Sequence, residues 1–120
     1  LMIDMKALWA RMRMKESLRR EAAVDVDALT DGQLRQQLVE LGQTDEKKAA
    51  SLSRGLLIAE LFASLVEKHL IQPHHIIDHP IETTPLCKPH RDPKLRSEGL
   101  VERFESFILG QEICNAYSEL

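Results

Sequence analysis

The sequence predicts an α+β fold in which a helical segment leads into antiparallel strands. Three observations carry this. Apolar residues recur at helical spacing up to about residue 70, and an extended zone with His, Pro and Thr follows. The last residues, RFESFILGQEICNAYSEL from Arg103 to Leu120, then read as a hairpin. Helices set beside antiparallel strands, rather than alternating with parallel ones, are the mark of an α+β domain. At 120 residues and 13.7 kDa the chain is one domain at most, large enough for a modest core.

The elements follow in order. Met14 to about Ala22 consists of helix-forming residues. Thr30 with Gln33 three residues later is a capping-box signature, and Leu34, Leu38 and Leu41 repeat at helical spacing before Gly42 stops the helix. Thr44 is placed to cap another helix. Leu57, Leu61 and Leu65 form one stripe, widened by Ile58, Phe62 and Val66, which predicts a helix ending near Leu70, ahead of Pro73. His75 to His79 (HIIDH) reads as a strand. A Pro- and Thr-rich bend from Pro80 to Pro85 and a polar loop lead to the terminal hairpin.

That hairpin is the functional candidate. Phe104, Phe107 and Ile108 lead into a Leu109-Gly110 turn, and Ile113, Cys114 and Ala116 follow, so both arms are expected to be buried. Glycine supplies the positive φ of a two-residue turn. The arms nevertheless carry Glu105, Glu112, Asn115, Tyr117 and Glu119. Carboxylates on buried strands must be paired, hydrogen-bonded or bound to a cation. With Leu109-Gly110 as the turn, Ile108 faces Gln111 and Phe107 faces Glu112, which puts Glu105 on the same face as Glu112, within reach of a shared ion. Oxygen ligands of this kind suit Mg²⁺, which also takes phosphate oxygens and water. Asn115, Tyr117 and Glu119 alternate at period two and share a face, which parity makes opposite to that of Glu112. One common site therefore requires a β-bulge near Cys114. A sheet with one wet face would explain Glu105 and Glu119 equally well as solvated edge residues.

The stretch ERFESFILGQEICNAYSEL resembles the lysine-pocket strands of class II lysyl-tRNA synthetases, NAYSEL above all. IQPHHIIDHPIETTPLCK, from Ile71 to Lys88, is similar to the family's IQPTFIIDYPVEISPLAK, and weaker likeness runs through RGLLIAELFASLVEKHL and MRMKESLRRE. The resemblance implies ATP-dependent activation of lysine and its transfer to the 3′ end of tRNA-Lys, in a cytoplasmic enzyme that is homodimeric at full length. It implies that Glu105 and Glu112 bind Mg²⁺, and that Asn115, Tyr117 and Glu119 line the lysine pocket. The chain would then be part of a class II synthetase catalytic domain. Residues of about 12–70 would form a helical insertion and 71–120 a strand-rich active-site segment. The anticodon-binding domain and signature motifs 1, 2 and 3 are absent from these residues, so the 120 residues alone are expected to be inactive. A paralogous ligase that loads a lysine-type substrate onto an elongation factor is an alternative. A non-catalytic helical interaction module with a merely structural hairpin is another.

Other signals are weaker. His75, His79, Cys87 and His90 have spacings that a zinc site could use, but H-x₃-H grips one metal on a helix and this segment reads as a strand. Lys88, Arg91, Lys94 and Arg96 make a basic run that reads as a solvated flexible loop. Arg11, Arg13, Arg19 and Arg20 suggest a basic helix face, offset by Glu16 and Glu21. A net charge of −3 excludes an overall basic field for nucleic acid. No apolar run approaches a membrane span, so no membrane partner is expected. Cys87 and Cys114 read as free thiols.

Overall fold

A parallel pair of strands has to be joined by a crossover, and here the helical zone supplies it. The computed structural model describes residues 2–6 and 9–119, so the NAYSEL string is seen as far as Glu119. Strand β1, Ala10–Arg13, runs parallel to β2, His74–Pro80, and everything helical before residue 70 lies between them in sequence. Among the described residues the sheet has four strands in the order β1-β2-β3-β4, with β3, Leu100–Ile108, antiparallel to both β2 and β4, Gln111–Tyr117. The sheet is therefore mixed, where antiparallel strands alone were expected. The basic residues Arg11 and Arg13 lie on β1 rather than on a helix.

The helices are α1 (Met14–Ala22), α2 (Asp31–Glu40), α3 (Glu46–Ala50), α4 (Arg54–Leu65) and α5 (Pro93–Ser97). Thr30 and Gln33 form the full capping box of α2, each side chain satisfying the other's backbone N–H. Leu34 and Leu38 are buried, whereas Leu41 sits on the C-cap and is exposed. Asp45, not Thr44, caps α3, because its carboxylate accepts from the Lys48 N–H one turn on. Helix α4 ends at Leu65, and a 3₁₀ turn over Glu67–His69 carries the chain to Leu70.

Leu57, Ile58, Leu61 and Phe62 of α4 pack with Leu18, Leu34 and Leu38 and, across the sheet face, with Met12, Ile76 and Phe107. The Phe62 and Phe107 rings meet edge-on at 5.7 Å. One sheet face is thus committed to the helical layer. The other carries Trp9, His75 and Phe104 in ring contact, with Phe104 partly exposed.

The β3–β4 turn is clamped to the end of the helical zone. Leu109 and Gly110 both have positive φ, 54° and 74°, as a two-residue turn of primed type needs. Their N–H groups donate to the carbonyls of Ile71 (2.9 Å) and Leu70 (3.0 Å). A Cβ on Gly110 would stand 3.0 Å from the Lys68 carbonyl oxygen. Gly110→Ala is therefore expected to lower stability by about 1–3 kcal/mol in urea unfolding. Gly42 has the same conformation, φ 73°, with nothing near its missing Cβ, and Gly42→Ala is the matched control. Equal losses in the two variants would show that the Lys68 contact contributes nothing.

Candidate functional site

Hairpin register decides which side chains meet. Ile108 pairs with Gln111 and Phe107 with Glu112, as the two-residue turn requires. The ladder then slips: Ser106 pairs with Cys114 and Glu105 with Asn115, which leaves Ile113 as an extra residue. Glu112 and Asn115 are an odd number of residues apart, and a regular strand would place them on opposite faces. The bulge beside Cys114 cancels that parity. Arg103, Glu105 and Phe107 with their partners Tyr117, Asn115 and Glu112 consequently share one face. It is the face that meets the helices, because Glu105 also pairs with buried Ile76 on β2.

The arms are less buried than expected. Phe107 is fully buried, but Ile113 and Cys114 are exposed and Phe104 is partly so. Strand β4 is the edge of the sheet, and the helical layer stops short of it. Glu112, Asn115 and Glu119 are exposed, while Glu105 and Tyr117 are half-buried.

Glu105 is the electrostatic centre. Burial first, and the Glu112 carboxylate second, push its carboxyl up to about 7; Arg103 opposes the shift and Glu67 adds to it. Glu67, on the 3₁₀ turn that clamps the hairpin, is itself raised by burial and then by Glu112. Arg103 Nη2 lies 3.2 Å from Glu105 Oε1. Its Nε donates to Asn115 Oδ1 at 2.9 Å, and its Nη1 donates to the Thr83 carbonyl at 3.4 Å. His79 is buried, with Nδ1 3.5 Å from Glu105 Oε1 and Nε2 donating to the Ile76 carbonyl at 2.9 Å. Burial holds its ring down to about 4, against the help of that carbonyl, and Arg103 lowers it further. Burial thus favours the neutral form of both Glu105 and His79. The contact is therefore polar but is not an ion pair.

Arg103 did not figure in the sequence reading, and His79 figured there only as a strand residue and a zinc candidate, not as a neighbour of Glu105. Arg103 had a signal, since it lies two residues before Glu105 and so on its face, but only the cross-strand register reveals its Asn115 partner. Glu119 lies past the end of β4, where its backbone forms an isolated antiparallel bridge with Cys87. The zinc candidates go to separate partners: His75 to Ser106 Oγ, His79 to Ile76, His90 to Asp78, and the Cys87 thiol to the carbonyls of Lys88 and Glu102. Among the described residues no three His, Cys, Asp or Glu side chains converge as a metal cage. The basic run is not freely solvated either. Arg91 pairs with Glu102 at 2.6 Å, Arg96 donates to the carbonyls of His90 and Arg91, and α5 forms within the run. A recess of about 360 Å³ lies at the open end of the hairpin, where Arg11, Ile77, Phe104 and Ala116 meet Asp78, Glu102, Arg103, Tyr117 and Ser118; Glu105 and Glu112 are not among its walls.

Comparison with known proteins is consistent along the whole chain. The family model for class II tRNA synthetases (D, K and N) matches residues 1–120. A lysine–tRNA ligase of Chlamydia felis is 56% identical over 118 residues, covering 98% of this chain and 22% of the relative. The lysine–tRNA ligase of Saccharolobus solfataricus is 43% identical over 118 residues, 98% of this chain and 23% of the relative. That of Porphyromonas gingivalis is 38% identical over 119 residues, 99% and 19% respectively. The chain thus spans about a fifth of the length of the curated relatives it matches.

Proposed function

The chain belongs to the class II tRNA synthetases of the D, K and N group, and from that premise we propose that it is the lysine-pocket segment of a lysine–tRNA ligase. The observation that carries this is the bulged hairpin, which turns Glu105, Glu112, Asn115 and Tyr117 onto one face. Residues of about 12–70 form a helical insertion in this reading, and 71–120 the active-site strands. The complete enzyme works in the cytoplasm as a homodimer on lysine, ATP and tRNA-Lys. Among the described residues no helix is long and apolar enough to cross a membrane.

Two carboxylates pressed together, one of them pushed up to about 7 by burial and its neighbour, form a site with unmet demand for positive charge. All their donor atoms are oxygen, and Glu112 is open to solvent. That donor set fits Mg²⁺, which takes one or two carboxylates and fills its remaining positions with water and phosphate oxygens. Glu105 and Glu112 would hold it, and when bound it neutralises charge on ATP phosphates. Arg103 holds the Asn115 amide in one orientation by accepting no choice of rotamer: its Nε is already committed to Oδ1. The Asn115 NH₂ is then left to face the substrate. Tyr117 packs on the aliphatic stem of lysine, and Glu119 meets an ammonium group. Catalysis in such a site comes from positioning and charge stabilisation rather than from a side-chain nucleophile.

Lysine-dependent ATP–pyrophosphate exchange tests the proposal. A polypeptide of the relatives' length carrying these residues is expected to be active, and the 120-residue chain alone to be silent. Exchange by the short chain would overturn the segment reading. Transfer to an elongation factor instead of tRNA-Lys would favour the paralogous ligase.

A further inference from the structure

We propose that Asp78 and His90 form a positioning pair for the amino acid pocket, acting through Cys87 and Lys88 on Ser118 and Glu119. The inference rests on the reading of Glu119 as a lysine-pocket residue and goes beyond it by asking what holds that residue in place.

Strand β4 stops at Tyr117. Past it, Ser118 N–H makes only a long bond to the Glu102 carbonyl, 3.4 Å. The tight attachment runs the other way: Lys88 N–H donates to the Ser118 carbonyl at 2.7 Å, and Cys87 bridges Glu119. The backbone at Glu119 therefore sits where Cys87 and Lys88 put it. Those two residues belong to a loop that has to be fixed in turn. Pro89 bridges Val101, and the next residue, His90, is buried.

The His90 ring has Glu102 Oε1 3.6 Å from its Nδ1, and two hydrogen bonds define its tautomer. Nδ1 accepts from the Asp92 N–H at 3.1 Å, so Nε2 carries the proton and donates it to Asp78 Oδ1 at 3.0 Å. The second Asp78 oxygen takes Arg13 Nε at 3.0 Å. A buried carboxylate with both oxygens engaged makes a rigid anchor. Its backbone is unusual as well. Asp78 has φ 56° and marks the irregularity in β2, where pairing slips between Ile77 and His79. A left-handed non-glycine residue costs about 1 kcal/mol or more, and such strain persists where a side chain must be presented in one direction. Here it delivers a carboxylate from the sheet to the loop that grips Glu119.

A purely structural role and a positioning role separate in kinetics, measured in the complete synthetase carrying this chain. His90→Ala is expected to raise the KM for lysine by about ten- to hundred-fold, the scale of small displacements at a pocket, with the KM for ATP changed by less than about three-fold. His90→Gln places an amide N–H near the position of Nε2 and should recover most of the loss. Asp78→Gly relaxes the left-handed backbone while deleting the carboxylate, so it should fold and still show the raised lysine KM. A normal lysine KM in Asp78→Gly, or failure of His90→Gln to recover the alanine defect, overturns the proposal. Glu119→Gln is the reference. If it raises the lysine KM while the His90 and Asp78 variants do not, the pocket stands and the positioning pair falls. If Glu119→Gln itself leaves that KM unchanged, the pocket reading is what has failed.

Discussion

Glu119→Gln in the complete synthetase is expected to raise the KM for lysine by roughly 30- to 4,000-fold, equivalent to about 2–5 kcal/mol, and to leave the KM for ATP nearly unchanged. The size follows from truncating one partner of a desolvated charge pair, which strands the lysine ammonium. The direction is tied to lysine because Glu119 lies beyond the hairpin, on the far side of Asn115 and Tyr117 from the Glu105–Glu112 pair. Magnitude is informative here. Glu119 is exposed in this chain, and an ion pair left in water contributes only about 0–1 kcal/mol. A shift above ten-fold therefore also reports that the remainder of the enzyme closes over the pocket. A lysine KM that does not move at all removes Glu119 from the pocket.

How much of this was legible in the sequence depended on how local the cause was. The capping box of α2 and the register of the hairpin could be read because each is decided by residues within a few positions of one another. Even the bulge was required by parity, since Glu112 and Asn115 cannot otherwise share a face. Strand β1 was hidden: four residues, ARMR, have no alternating apolar pattern, and their partner β2 lies some sixty positions on. Helix α5 was missed for a similar reason, being five residues with one apolar side chain, Leu95, turned inward. Thr44 and Asp45 competed for one cap, and the outcome depended on which placed an oxygen one turn before the Lys48 N–H. Burial of β4 was overestimated because apolar residues on an edge strand look the same in sequence as those on a central one. The partners of Arg103, His79 and His90 are set by strand pairing, which composition does not disclose.

Glu105→Gln should make the metal-free protein more stable while removing its function. The Glu105 carboxyl is raised in the folded state, from an ordinary 4.5 to about 7, by burial and then by Glu112. A raised pKa means that the folded state holds a proton the unfolded chain has released. The associated stability is full below pH 4.5 and is lost as pH rises through 7. The shift would correspond to about 3 kcal/mol at most, and solvent access to this half-buried group reduces it to about 1–2 kcal/mol. Glutamine has the same shape and cannot ionise, so the variant should match the parent below about pH 4.5 and exceed it by that amount above pH 7.5, measured by urea unfolding in EDTA. His79 supplies an acid limb of opposite sign. Its ring is depressed to about 4, so the stability it contributes is present above pH 6.5 and falls away as pH drops toward 4. The parent should accordingly be most stable near pH 5–6, and Glu105→Gln should retain only the acid limb. Adenylation by the complete enzyme should meanwhile drop by about a hundred-fold or more, the scale of losing a preorganised electrostatic group. A side chain whose ionised form weakens the fold, yet whose removal stops the reaction, is held in place for what it binds. If Glu105→Gln leaves the pH–stability curve unchanged, the carboxylate is not under the strain described. If it leaves adenylation unchanged, it does not serve Mg²⁺.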